Sequence, residues 1–186
     1  MDILGRDVDL DQCPEFSGHA VYVFHSAVAS YHAPSDLSGV HGMHRERIRA
    51  VPSWRKGPPR YDCVLMEKDP NQAGFRGMYA ARVFLFFSFT YRSVFYPCAL
   101  INWFSPIDTK PCEDTGLWIV QPDLLDNGSL LKSVVHLDCI FRSAHLLGMA
   151  GKEFLPHDLS CHDSLDAFSA FYVNKYSDHQ ANEIAF

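Results

Sequence analysis

Apolar runs with the composition of β-strands dominate the first three-quarters of the chain. They are rich in β-branched and aromatic residues and are bounded by Gly, Pro, Asn or Asp, as is typical of strands. They predict strands at residues 20–31, 61–67, 78–91, 95–104, 116–121 and 133–137. The run at 78–91 has a continuous apolar centre, which indicates burial on both faces or a strand that bends around a barrel.

Local signals refine this pattern. Pro97 places its strand at an edge or a bulge, because proline cannot donate a ladder hydrogen bond. Residues 124–131 predict a hairpin around Asn127 and Gly128, since both residue types accept positive φ angles. Short helices are expected at two places, residues 43–49 and 140–146.

The last part of the chain has a helical spacing of apolar residues. One stripe is formed by Leu165, Phe168, Tyr172, Tyr176 and His179. Asp163 or Ser164 can cap its start, so the pattern predicts a C-terminal α-helix over 164–183. The expected fold is mainly β: a loose tail at 1–19, then one domain at 20–186 with a small, bent antiparallel sheet or barrel.

Composition places the chain among ordinary globular proteins. It has 186 residues, of which 47% are hydrophobic and 20% charged, so one domain with a sizeable core is expected and wholesale disorder is excluded. The longest apolar run is shorter than the ~20 residues that span a bilayer. With no signal-peptide pattern at the start, we expect an intracellular protein, nuclear or cytoplasmic, without a membrane partner and with thiols instead of disulfides.

Charge is distributed unevenly, although the net charge is −6. Residues 41–60 hold six of the sixteen Lys and Arg residues and one acid, Glu46, which gives a basic loop of net charge +5. Such a loop can pair phosphates, and an aromatic residue within it can stack a base. The candidate residues for binding nucleic acid or another anion are Arg45, Arg47, Arg49, Trp54, Arg55, Lys56 and Arg60. The alternative is a solvated loop whose charges face the acidic remainder of the chain.

Three aromatic residues form a second candidate site. Trp103, Phe104 and Trp118 lie on neighbouring predicted strands. Together they can line a recognition surface for a cationic side chain. The alternative is that they are ordinary core residues, as aromatic side chains on strands commonly are.

Histidines and cysteines offer a weak candidate for a zinc site. His41 and His44 have the H-x-x-H spacing of half a site, and a structural zinc needs about four ligands. The other candidate ligands, His157, Cys161 and His162, lie far away in the sequence. We therefore expect a polar loop and no metal or other cofactor.

Cys139 is the candidate nucleophile, because His136 and Asp138 lie close to it in the sequence. On a strand the histidine and the acid would point to one face and the thiol to the other. A buried core thiol is therefore expected, and no catalytic residue is assigned. A zinc- or cysteine-dependent enzyme remains as the alternative to a protein without enzymatic activity.

Six ordered segments together resemble the C-terminal region of fungal transposon-encoded proteins of the Plavaka type, which belong with the Kyakuja–Dileera–Zisupton transposases. They are residues 25–54, 57–67, 81–104, 113–123, 134–147 and 162–186. The resemblance covers roughly residues 20–186. It implies a module that lies after the acid-triad nuclease domain of such proteins, so no catalytic residue is carried over.

A shorter resemblance concerns the fold. Residues 81–109, an acidic loop and residues 133–147 resemble the core of bromo-adjacent-homology (BAH) domains, which are β-rich chromatin modules. The run Trp103-Phe104-Ser105-Pro106 matches their W-F/Y-x-P string. The two resemblances imply a non-catalytic interaction module that binds chromatin, DNA or another transposase segment. The alternative is a purely structural domain that docks or dimerises through its C-terminal helix.

Overall fold

The computed structural model describes residues 20–35, 41–151, 154–155 and 157–186. The predicted tail at 1–19 and Cys13 lie outside the described residues. Within them, the chain forms strands β1 (Tyr22–Phe24), β2 (Ser26–His32), β3 (Met43–Val51), β4 (Arg60–Tyr61), β5 (Cys63–Glu67), β6 (Met78–Tyr91), β7 (Val94–Pro106), β8 (Ile119–Pro122), β9 (Lys132–His136), β10 (Ile140–Ala144), β11 (Leu146–Gly148) and β12 (Phe171–Val173). The α-helices are α1 (Ser164–Ala167) and α2 (His179–Ala185), and 3₁₀ turns span Gly74–Gly77 and Leu137–Cys139.

The larger sheet is antiparallel and nearly closed into a barrel. Its strand order is β10-β5-β6-β7-β8-β12-β11. The two strands at the ends of this order, β10 and β11, are separated in the chain by His145 alone. One bent stretch of chain therefore pairs with β5 at its start and with β12 at its end. The predicted bent antiparallel sheet or barrel is confirmed.

The strands of the barrel contribute to one apolar core. Leu65, Ala80, Phe104, Val120 and Phe171 are each at most 3% exposed and come from five different strands. Further core residues come from outside these strands, namely Phe75, Trp118 and Ala185. Each large apolar side chain buried in this way stabilises the fold by about 1.5–3 kcal/mol.

A second core lies on the other face of the central strands, under the small sheet β2-β3-β4. Ile48 and Ala50 of β3 pack there with residues of β6 and β7. Strand β6 carries a bulge at Phe84, because Val83 pairs with Ile101 and Leu85 pairs with Leu100. The extra residue bends the strand and shifts which side chains face this core, as bulges at barrel rims do.

Strands β8 and β9 lie end to end along β7, and residues 123–131 loop out between them. The Nδ2 of Asn102 donates to the carbonyl oxygens of Asp123 at 3.0 Å and Leu131 at 2.9 Å, which closes the base of this loop. The predicted hairpin is confirmed, with Gly128 at a φ of 79°. Pro97 immediately precedes Cys98, the first β7 residue that pairs with β9, so its edge position is also confirmed.

The C-terminal helix predicted at 164–183 is wrong in extent. Only α1 and α2 are helical, and β12 lies between them. Phe171 and Val173 alternate along β12 and are buried in the barrel core, which a helix would prevent. Sheet pairing therefore overrides the apolar stripe, as tertiary context commonly overrides local propensity.

The two shorter helix predictions are also wrong. Residues 43–49 belong to β3, where burial alternates with the period of two that a strand requires. Residues 140–146 contain β10 and the first residue of β11. Both segments gain ladder hydrogen bonds from other strands: β3 pairs with the preceding strand β2, and β10 pairs with the more distant strand β5.

Candidate nucleic-acid interface

The predicted basic loop at 41–60 is a strand followed by a tight turn, so its charges have fixed positions. Arg45, Arg47 and Arg49 alternate along β3 with Glu46 and Ile48, and therefore share one face. Successive arginine positions on this face are about 6.8 Å apart along the strand. Their partners on β2 are uncharged, namely Ser30, Val28 and Ser26.

Trp54 gathers three guanidinium groups from different parts of the segment. The centre of its ring lies 4.7 Å from the guanidinium carbon of Arg49, 5.4 Å from that of Arg55 and 5.3 Å from that of Arg60. Each exposed contact of this kind contributes about 0.5–1 kcal/mol. The indole thus holds three guanidinium groups close together.

The turn after Trp54 places two cations at an exposed tip. Arg55 and Lys56 have φ angles of 52° and 64°, in the left-handed region that suits glycine and asparagine. The backbone N–H of Gly57 donates to the carbonyl of Trp54 at 2.9 Å, and the hydroxyl of Ser53 donates to the carbonyl of Gly57 at 2.8 Å. These bonds keep the turn closed despite the unfavourable residue types.

Acidic residues do little to neutralise this face. The Oδ1 of Asp62 accepts a hydrogen bond from the Nε of Arg60 at 2.8 Å, so the charge of Arg60 is compensated. Across the part of the chain that the structure describes, the remaining five cations form no ion pair with a carboxylate: Arg45, Arg47, Arg49, Arg55 and Lys56. We call these five residues, together with Trp54 and Arg60, the basic face.

The one acid within the segment points the other way. Glu46 accepts hydrogen bonds from the backbone N–H and the hydroxyl of Ser143, and its Oε2 lies 4.0 Å from the Nη2 of Arg142. Because Glu46 is engaged beneath β3, the charges of Arg45 and Arg47 stay uncompensated on the outside. This arrangement disfavours the alternative in which the loop's charges simply face acidic parts of the chain.

Arg142 anchors the inner side of this sheet. It is 3% exposed, its two terminal nitrogens donate to the two carboxylate oxygens of Asp178 at 2.8 and 2.5 Å, and Nη1 also donates to Gln180 at 2.7 Å. The hydrogen bonds from Arg142 outweigh burial and hold the pKa of Asp178 below its usual value. Burial alone would lower the pKa of Arg142, but Asp178, Tyr31 and Glu46 raise it, so the guanidinium stays charged.

A cavity of about 330 Å³ opens beside the basic face, between Trp54 and α1. Arg82 lies in its wall, and both of its terminal nitrogens donate to the carboxylate of Asp166, at 2.5 and 3.1 Å. Trp54 and Arg60 also line this cavity. We call it the side cavity; no pattern in the sequence indicated it, because its walls come from segments about 100 residues apart.

The predicted aromatic recognition surface does not form. Phe104 and Trp118 are 1% and 5% exposed and lie in the barrel core. Trp103 lies on the opposite face of β7, where its indole N–H donates to the hydroxyl of Ser133 at 3.0 Å. Adjacent strand residues point to opposite faces, so Trp103 and Phe104 cannot join in one surface.

The described histidines and cysteines form no metal-binding cluster. In the described residues, no group of three or more His, Cys, Asp and Glu side chains is arranged to hold a metal ion. The described cysteines are free thiols, namely Cys63, Cys98, Cys112, Cys139 and Cys161. Cys139 is exposed on the 3₁₀ turn after β9, so the prediction of a buried thiol there is wrong. Cys63 is buried, and burial raises its pKa to about 12.

Comparisons with known proteins add no family to this description. A scan against protein-family models, a search of curated proteins and a search of solved structures each found no match. In the part of the chain that the structure describes, no helix has the length and apolar character needed to cross a membrane. The candidate interface therefore rests on its own geometry and charge.

Proposed function

We propose that this protein is a non-catalytic module that binds nucleic acid through its basic face. The observation that carries the proposal is the set of five cations without a carboxylate partner among the described residues, which lie along β3 and the turn that follows it. A chain of net charge −6 concentrates positive charge there and directs its nearest acid inward. Polyanions are the partners that such a surface attracts.

Nucleic acid fits this surface better than a compact anion does. The cations are spread along a strand instead of converging on one point, and a nucleic-acid backbone offers phosphates at regular intervals. Arg49 and Arg55 are held in place before binding by Trp54, and Arg47 donates a hydrogen bond to the hydroxyl of Ser26 at 3.2 Å. Less side-chain entropy is then lost on binding.

The resemblance to transposon-encoded proteins and to chromatin modules agrees with DNA as the partner in the nucleus. Each would place this chain near DNA, and neither requires a catalytic residue here. A chromatin protein or another transposase segment is the competing partner, and an acidic protein surface would engage the same arginines. Binding to duplex DNA with no other protein present distinguishes DNA from these protein partners.

The test compares two variants with equal changes in charge. In the first, Arg45, Arg47, Arg55 and Lys56 become Gln; in the second, Lys68, Arg92, Lys110 and Lys132 become Gln. We expect the first variant to lose at least tenfold in affinity for a duplex, because phosphate contacts are removed, and the second to lose less than about threefold. Equal losses in a gel-shift titration, or no binding by the wild type, would contradict the proposal.

A second candidate function is self-association, favoured by an apolar sheet face. Beyond the barrel, β6 and β7 continue as an arm, and apolar residues on one face of it lie outside both cores: Val23, Leu85, Phe87, Tyr96, Leu100 and Val134. Val23 and Val134 are 54% and 58% exposed. The predicted route through the C-terminal helix is not supported, because α2 buries Ala181 and Ala185 against the domain.

Sedimentation equilibrium tests this second function. We expect a dimer that dissociates when Val134 is replaced by Lys, since a buried unpaired charge is costly. The control is Leu125→Lys, at an exposed apolar residue in the loop between β8 and β9. A wild-type protein that stays monomeric at about 100 μM would exclude an interface of useful strength.

A further inference from the structure

The side cavity holds a buried cation whose partner is exposed. Arg82 is 7% exposed, whereas the side chain of Asp166 is 61% exposed. Asp166 belongs to α1, which is a single helical turn. A buried charge must be paired, and here the pairing carboxylate lies on the solvent-exposed side of the ion pair.

The geometry of this pair matches what a phosphate would offer. The guanidinium of Arg82 presents both terminal nitrogens to one carboxylate, and the same fork binds two oxygens of a phosphate. The Nε of Arg82 has no hydrogen-bond partner within the described residues. Asp166 thus occupies the position that an anionic ligand would take.

The remaining walls of the side cavity suit a flat ring. Trp54, Tyr61 and Leu165 contribute apolar and aromatic surface, and Arg60 contributes a guanidinium plane. Asp62 also lines the cavity, and its charge is compensated by Arg60. Single-stranded bases stack on such aromatic rings and guanidinium planes, for about 1–3 kcal/mol per base. A volume of about 330 Å³ lies at the lower end of the range for small-molecule pockets.

We infer that the side cavity binds one nucleotide of an unpaired strand, with its phosphate in place of Asp166 on Arg82 and its base against Trp54 and Tyr61. This inference rests on the proposed function, because Trp54 and Arg60 belong to both the basic face and the cavity. It extends that function from binding the phosphate backbone of nucleic acid to binding strands with an accessible base. Asp166 then acts as a built-in competitor for the anion position.

Removing the carboxylate of Asp166 is expected to change stability and nucleotide affinity in opposite directions. Asp166→Asn leaves Arg82 without its charged partner, so the free protein is expected to melt at a lower temperature. The same change opens the anion position, so the variant is expected to bind thymidine monophosphate at least threefold more tightly than the wild type. Bound nucleotide should restore the melting temperature of this variant.

The matched control is Asp163→Asn, which makes the same charge change three residues away. The carboxylate of Asp163 accepts a hydrogen bond from the backbone of Ser160 and does not contact Arg82. A second pair tests the space itself: Cys161→Trp fills the wall of the cavity, whereas Cys139→Trp adds the same ring at another exposed position.

The experiment is a calorimetric titration of thymidine monophosphate, inorganic phosphate and thymidine into the wild type and the four variants, with duplex affinity measured in parallel. We expect that, of the four variants, only Asp166→Asn binds the monophosphate more tightly than the wild type and only Cys161→Trp binds it at least fivefold more weakly. We also expect phosphate and thymidine to bind more weakly than the monophosphate. Equal affinities of the Asp166→Asn and Asp163→Asn variants for the monophosphate would overturn the inference. Because duplex affinity reports the basic face, its persistence in that case would leave the proposed function standing.

Discussion

Single arginines serve two different purposes in this protein. Arg82 and Arg142 are buried and paired with carboxylates, whereas Arg45 and Arg47 are exposed on β3 without such partners among the described residues. Composition predicts neither purpose, because the partner of Arg142 is 36 residues away and that of Arg82 is 84 residues away. The exposed arginines could be predicted because they are close together in the sequence.

Trp54 is the residue whose removal tests how the basic face is organised. Trp54→Ala keeps every charge but removes the ring that holds three guanidinium groups, so we expect a three- to tenfold loss of duplex affinity. Trp54→Phe retains a weaker ring, so its duplex affinity should lie between that of the wild type and that of Trp54→Ala. The control is Trp103→Phe, on β7 of the larger sheet. An unchanged affinity for Trp54→Ala in the gel-shift assay would remove Trp54 from the account.

The lowered pKa of Asp178 predicts how the free energy of unfolding depends on pH. Its pKa is lower in the folded protein than in the unfolded chain, so its contribution is fully present above the unfolded pKa of about 3.9 and is lost as pH falls through the folded value. The free energy of unfolding should therefore fall less steeply below about pH 4 in Asp178→Asn than in the wild type. Urea titrations between neutral and acidic pH measure this slope.

The control for that titration is Asp138→Asn, whose side chain is 88% exposed. It should keep the slope of the wild type. If Asp178→Asn and the wild type lost stability in parallel on acidification, the ion pair with Arg142 would not be the source of the acid sensitivity.

Elements follow the sequence where local pattern and tertiary pairing agree. The apolar run at 78–91 coincides with β6, and Gly128 provides the turn that its residue type predicts. The apolar stripe at 164–183 predicted a helix wrongly, because Phe171 and Val173 belong to β12, which pairs with β8 and β11 in the barrel. The turn at Arg55 and Lys56 could not be predicted, since neither residue type favours positive φ.

Two turns of the same kind allow a matched comparison of strain and function. Arg55-Lys56 and Arg92-Ser93, the latter between β6 and β7, all have positive φ angles. Replacing either pair with Asn-Gly should stabilise the protein by about 1–2 kcal/mol, because these residues adopt the left-handed conformation easily. Only the change at Arg55-Lys56 should also weaken duplex binding.

Chemical denaturation and gel-shift titration of the two turn variants measure both effects. If the variant at Arg92-Ser93 lost as much affinity as the variant at Arg55-Lys56, binding would not be localised to the basic face. If neither variant were stabilised, the strain attributed to the left-handed residues would be wrong.

At the scale of the whole molecule, the barrel positions the interface. Closure through His145 brings β10 beside β5, and Arg142 of β10 then joins β3 to α2 through Glu46 and Asp178. The fold class was predictable because strand patterns are local. The particular strand pairs that close the barrel and the walls of the side cavity were not predictable, because they depend on contacts between distant segments, such as the pairing of β11 with β12.

The central claim is that the basic face binds the phosphates of nucleic acid, and the salt dependence of duplex affinity tests it most directly. If about four phosphates are neutralised, the logarithm of the association constant should fall with the logarithm of salt concentration at a slope of about −3.6. Replacing Arg45, Arg47, Arg55 and Lys56 with Gln should bring that slope close to zero. An unchanged slope in this variant would contradict the account.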